Sequence, residues 1–303
     1  MQNEPLKVAV CDTFAGERWL SERYVSTFPN ATFVHHEVGR CPDAEPHPHG
    51  AMVASTILLP VIDLKVEVHF VRFLDSMDRD SDAALLDVLR GIGPFHVMQN
   101  SWGQSPDRRK WADDLISTTW MPWIEREAAL RRELGYLCVA SSGNEDTGGL
   151  AFHDHCHPWR GMEGVVSIGS VDRRGLTTEW SSEGTKLVGV AGGERRWLLE
   201  PSGEWVLGDG TSFSSPAVAG LYLSLVGRGL VEPTYESFRA WWMASVVDIP
   251  GVRLPDPKMG WLNFEPHYQR VAGLIGAFDI AQVPSLEERA RRRVKWLDLR
   301  RVS

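Results

Sequence analysis

The chain has 303 residues, of which 43% are hydrophobic, with a formal net charge of −8 and a pI near 5.7. That length and apolar content suffice for a sizeable core in one large α/β domain, although length alone would also admit two. The acidic balance argues against a general nucleic-acid role, and no stretch approaches the ~20 apolar residues of a membrane span.

The opening MQNEPLK lacks the charged-then-apolar pattern of a secretory signal, which predicts a cytoplasmic protein. LKVAVCD (6–12) is short, continuously apolar and β-rich; it reads as a strand over 6–11 that ends on Asp12, where open parallel sheets display functional groups. HPHGAMVAST (47–56) places His49 just before Gly50 and a helix-compatible run near 50–59. A strand near 66–73, a helix near 82–91 and a strand near 95–100 follow, the last leading into Ser101. A helical segment near 109–134 then precedes a strand near 136–141, with Asn144 just past its end. Strands near 165–171 and 187–191 continue the series. This alternation predicts an α/β protein: a three-layer, doubly wound, largely parallel sheet with helices on both faces. One crevice at the carboxyl ends of its strands would collect Asp12, Ser101 and Asn144.

FHDHCHPW (152–159) brings His153, Asp154, His155, Cys156 and His157 close in sequence. Structural zinc sites show paired ligands two to four residues apart, and consecutive residues of an extended loop point to opposite sides, so no metal site is expected there. Cys11, Cys41, Cys138 and Cys156 form no paired-spacing framework. Cys11 and Cys138 fall in predicted core strands, which favours small buried thiols over disulfides.

GTSFSSPAVAG (210–220) puts a hydroxyl where a loop turns into an apolar helix. Gly210 permits a tight backbone approach, Pro216 is early enough to be tolerated, and the small residues after it allow burial all round. Ser212 therefore stands beside unpaired backbone N–H groups and the positive end of a helix dipole, where charge on a substrate oxygen would be stabilised. A serine hydroxyl needs a neighbouring base, usually histidine, and the imidazole needs a carboxylate to fix its tautomer. His49 and Asp12 are the candidates. A helix near 234–246 follows, then a closing segment. SLEERARRRVKWLDLRRVS (285–303) carries seven basic residues against three acidic ones. It is expected either to pack back on its own domain as a helix or to dock an acidic partner or a second subunit.

In the order Asp12, His49, Ser212, these segments resemble the blocks of the subtilisin (subtilase) family of serine proteases. VAVCD is similar to the family's aspartate block, HG at 49–50 to its histidine block, and GTSFSSPAVAG to its serine block, GTSMASPHVAG. SSGNED (141–146) resembles the AAGNE block, which implies that Asn144 is the side-chain donor of the oxyanion hole, beside the backbone N–H of Ser212. NSWG (100–103) resembles the segment whose backbone pairs with an extended substrate, implicating Ser101, Trp102 and Gly103. Ser142, Gly143 and Cys156 are the further substrate-binding positions implied. VRFLD (71–75), VVSIGSVD (165–172) and MGWLNF (259–264) resemble core strands and the closing segment. The matches span about residues 6–268, implying a catalytic domain over 1–270 and a C-terminal extension over 271–303 with a basic amphipathic helix.

Departures are local. Phe14 stands where the family has Gly after the aspartate, and Ala51, Met52 and Ser55 replace Thr, His and Gly of HGTHVAG. Asp12 lies so near the start that either a mature form or a branch without an inhibitory pro-segment is expected. The resemblance implies a serine endopeptidase, intracellular and specific, acting on extended peptide or protein substrates without a cofactor; no calcium ligand set carries over. An inert peptide- or partner-binding pseudo-protease is the alternative, and an esterase using the same triad a weaker one.

Overall fold

The computed structural model describes residues 4–12, 20–38, 47–72, 79–101, 121–144, 164–172, 178, 180–181, 188–245 and 260–261. Eight strands form one sheet: β1 (Leu6–Asp12), β2 (Ala31–Glu37), β3 (Val66–Arg72), β4 (Val97–Asn100), β5 (Leu137–Ser141), β6 (Val165–Val171), β7 (Gly189–Gly192) and β10 (Gly260–Trp261). Their order is β10-β7-β6-β5-β4-β1-β3-β2, and every pairing is parallel. β8 (Arg196–Leu199) and β9 (Trp205–Gly208) make a separate antiparallel hairpin.

The strands read as apolar runs because both faces are covered. In β1, Leu6, Val8 and Val10 join one core while Ala9 and Cys11 join the other; in β5, Leu137 and Val139 oppose Cys138 and Ala140 in the same way. The first core is closed by helices α2 (His49–Leu58) and α5 (Thr211–Gly227). The second is closed by α3 (Arg79–Ile92) and α4 (Met121–Leu134). The expected three layers are therefore present. α5 is buried nearly all round, and a Cβ at Gly220 would collide with the Ile57 carbonyl, so small residues let the helices carrying His49 and Ser212 cross in close contact.

From β1 the chain crosses to β2 at one edge and returns through β3; from β4 onward it builds outward on the other side of β1. The direction of winding thus reverses between β1 and β4, the place where an open α/β sheet leaves a crevice beyond its carboxyl ends. Register keeps those ends level: Cys11 pairs with Asn100, Asn100 with Ala140, and Ser141 with Ile168.

Three elements go beyond the sequence-based expectation: the half-exposed β2, the short α1 (Glu22–Thr27) and the β8–β9 hairpin. They brace α2. Tyr24 of α1 donates its hydroxyl hydrogen to the Ala51 carbonyl at 2.7 Å, and the Leu199 N–H of β8 donates to Ser55 Oγ at 3.1 Å. Ser21 N–H bonds the Pro201 carbonyl in the hairpin turn, tying α1 to β8–β9. Helix α6 (Tyr235–Ser245) packs Phe238 and Trp242 into the first core. Cys11 and Cys138 are buried free thiols, whereas Cys41 and Cys156 lie outside the described residues, as do Phe14, 109–120 of the expected helix, the 152–159 cluster and 271–303. No helix among the described residues is long and apolar enough to cross a membrane.

Candidate active site

Asp12, the last residue of β1, is buried at the carboxyl edge of the sheet. His49, the first residue of α2, turns its ring toward it: Nδ1 lies 2.8 Å from Asp12 Oδ1 and 3.0 Å from Oδ2. A carboxylate only accepts, so the proton of this bond resides on Nδ1 and Nε2 is left with its lone pair. Burial pulls the His49 pKa down, but the charge of Asp12 and its hydrogen bond more than offset that, and the net shift is upward from 6.5. The pair thus stabilises an imidazolium.

Ser212 sits in the first turn of α5, with Gly210 just before the helix. Gly210 adopts φ 152° and Gly143 φ 102°, both in the region that disfavours a side chain. The His49 ring lies 5.5 Å, centroid to centroid, from Phe213, the residue after Ser212. The Ser212 hydroxyl itself donates to the Ser101 carbonyl at 3.1 Å rather than to the imidazole. Half of the expected relay, Asp12 to His49, is therefore made. The other half, from Ser212 to the imidazole, is not made here; catalytic hydrogen bonds are often long or poorly aligned until substrate binds.

Asn144 follows β5, and its side chain is fixed by Thr211. Asn144 Oδ1 accepts from the Thr211 N–H at 2.9 Å and from Thr211 Oγ1 at 2.8 Å, while Thr211 Oγ1 accepts from the Gly143 N–H at 3.1 Å. A backbone N–H can only donate, so the amide must present its oxygen to Thr211 and project Nδ2 away from it. The amide is thus fixed through its oxygen by a buried threonine at the helix start, on an otherwise exposed residue. Nδ2 and the Ser212 N–H are the donors available to a developing oxyanion, since the Thr211 and Phe213 N–H groups are engaged by Asn144 and the Gly210 carbonyl.

Ser101, after β4, and Ser142 and Gly143, after β5, are buried on neighbouring strand ends. Trp102, Gly103 and Cys156 lie outside the described residues. Among the described residues no group of three or more His, Cys, Asp or Glu side chains is arranged to hold a metal ion. Sequence reasoning missed Thr211 as the clamp on Asn144, although a hydroxyl directly before Ser212 was a visible signal. It also left Gln99 and Ser55 without a role; their partners lie 116 and 144 residues away.

A model of the subtilase family matches residues 4–248. Among solved structures, a lanthipeptide protease is 19% identical with a TM-score of 0.63, the match covering 89% of this chain and 87% of that one. The prenylagaramide maturation protease PagA is 21% identical with a TM-score of 0.61, covering 88% and 94%. A cold-adapted subtilisin-like serine proteinase is 18% identical with a TM-score of 0.58, covering 85% and 88%. No curated protein matches the chain in sequence.

Proposed function

The chain belongs to the subtilase family and is a serine-type peptidase, and on that premise we propose that Asp12, His49 and Ser212 are its catalytic relay and that it works as an endopeptidase on extended peptides. The observation that carries this reading is the 2.8 Å bond from His49 Nδ1 to Asp12, which leaves Nε2 as a base on a ring 5.5 Å from Phe213, the residue after Ser212. His49 takes the Ser212 proton as Oγ attacks the scissile carbonyl, and Asp12 stabilises the imidazolium. Asn144 Nδ2 and the Ser212 N–H receive the oxyanion. The imidazolium then protonates the leaving amine, and water repeats the cycle on the acyl-enzyme. No cofactor enters.

An extended substrate adds as a strand beside Ser101, Trp102 and Gly103, with Ser142, Gly143 and Cys156 bordering the pocket. Two of the similar folds belong to proteins described as a lanthipeptide protease and a maturation protease, and this supports specific processing of a precursor peptide over general digestion. The buried thiols Cys11 and Cys138 fit an intracellular, reducing compartment. The 1–270 catalytic domain and a regulatory or self-associating role for 285–303 belong to the same proposal; unchanged activity and oligomeric state after deleting 285–303 would remove the latter.

The hydroxyl turned to Ser101 favours one second reading, a peptide-binding protein that does not cut. Incubation with a peptide library separates the two. Cleavage that disappears in Ser212→Ala is the expected result, and binding without cleavage by the folded wild type would establish the inert reading.

A further inference from the structure

One polar side chain beneath Ser212 is unused by the chemistry above. Gln99, on β4, is fully buried, where an amide is unfavourable unless hydrogen bonded. Both hydrogens of its Nε2 are engaged, one by Ser101 Oγ at 2.9 Å and one by Ser215 Oγ at 2.8 Å. The two hydroxyls belong to different elements: Ser101 follows β4, and Ser215 lies in the first turns of α5. Ser101 Oγ donates in turn to the Ser212 carbonyl at 2.9 Å. That hydroxyl has spent its hydrogen, so toward Gln99 it can only accept, and the amide must face it with nitrogen.

The orientation has a cost. Gln99 Oε1 is left buried without a hydrogen-bond partner, and a methionine of similar length would remove both this orphan and its penalty. What methionine would lose is the link from the end of β4 to the start of the serine helix.

We propose that Gln99 is a positioning residue for Ser212, its amide clamping β4 to the first turns of α5 so that the Ser212 oxygen and N–H keep their placement relative to His49 and Asn144. This rests on Ser212 being the nucleophile. Gln99 touches neither substrate nor the reacting atoms; it acts through Ser101 and Ser215. Misplacing a reacting group by about 1 Å costs on the order of a hundredfold in rate, so loosening the clamp lowers kcat without altering substrate affinity.

The test is Gln99→Met in the full chain, with kcat, KM, the pH profile and the rate of fluorophosphonate labelling measured on the folded fraction. The expected result is a fall in kcat and in labelling rate of about tenfold to a hundredfold, with KM within about twofold and the midpoint of the pH profile unmoved, because the Asp12–His49 pair is untouched. Adding Ser215→Ala to Gln99→Met should cost less than about twofold more, since residues in one hydrogen-bond network are not additive. Should Gln99→Met fail to fold, Ser215→Ala alone removes one arm of the clamp and should lower kcat about threefold or more with KM unchanged. A folded variant with wild-type kcat and labelling rate but a lower melting temperature would reduce Gln99 to a structural role and overturn the proposal. A folded wild-type chain that the probe does not label would instead overturn Ser212 as nucleophile, and the clamp with it.

Discussion

Two histidine–carboxylate pairs, each with its carboxylate on a strand of the same sheet, behave in opposite ways. His49 meets Asp12 at 2.8 Å, and its pKa rises. His69 meets Glu67 of the same strand at 2.6 Å, yet burial and the nearby Lys7 ammonium outweigh Glu67, and its pKa falls. His36, stacked on His69 and bonded to its Nδ1 at 2.9 Å, is lowered too, by burial and by its neighbour. The two pairs are alike in chemistry and unlike in placement. Asp12 ends the strand at the point where the winding reverses, and His49 opens a helix packed on the serine helix; Glu67 and His69 lie within β3. On the proposed reading, a histidine beside a carboxylate serves catalysis only where the fold brings a nucleophile and an oxyanion donor to it.

The largest test of that contrast is Asp12→Asn, which should lower kcat by ~10⁴-fold by losing the imidazole tautomer. His69→Gln should leave kcat within about twofold, the ordinary range for a site away from the chemistry. Asn144→Ala should lower kcat by about 10²–10³-fold with KM little changed. Activity of the wild type should rise with pH through a midpoint above 6.5, since His49 acts as a base only when neutral and its pKa is raised. Loss of the Asp12 charge should move that midpoint down.

Stability should show the same opposition with smaller effects. Ser55→Ala orphans the buried Leu199 N–H and should cost about 1–3 kcal/mol, read by denaturant unfolding, with activity falling only as the folded fraction does. A raised His49 contributes stability that is present in acid and is lost as pH climbs through its folded pKa. His36 and His69, both lowered, subtract stability as pH falls through about 6.5. His69→Gln should therefore flatten the acid side of the curve of melting temperature against pH. An unchanged acid limb would remove this cluster from the account.

Much of the candidate site was legible in the sequence because its groups stand at element boundaries. Asp12 ends an apolar run, His49 precedes small helix-forming residues, and Ser212 opens a helix of Ala, Val and Gly that only a buried position explains. β2 escaped notice because ATFVHHE is half exposed and mixes polar with apolar residues, without the continuous run of a central strand. The β8–β9 hairpin turns through Pro201–Gly203, a signal that was present, but four-residue strands carry little periodicity. Ser55, visible as a departure from the family block, acquires its meaning only from Leu199, and Gln99 only from Ser215. Contacts between residues so far apart in the chain leave no local pattern.

The central claim, that Asp12 and His49 activate Ser212, is tested most directly by fluorophosphonate labelling followed by mass mapping of the modified residue. The account predicts a single adduct on Ser212, formed faster as pH rises, absent in Ser212→Ala and slowed by several orders of magnitude in Asp12→Asn. A folded wild-type chain that stays unlabelled, or that carries its adduct on another residue, would contradict it.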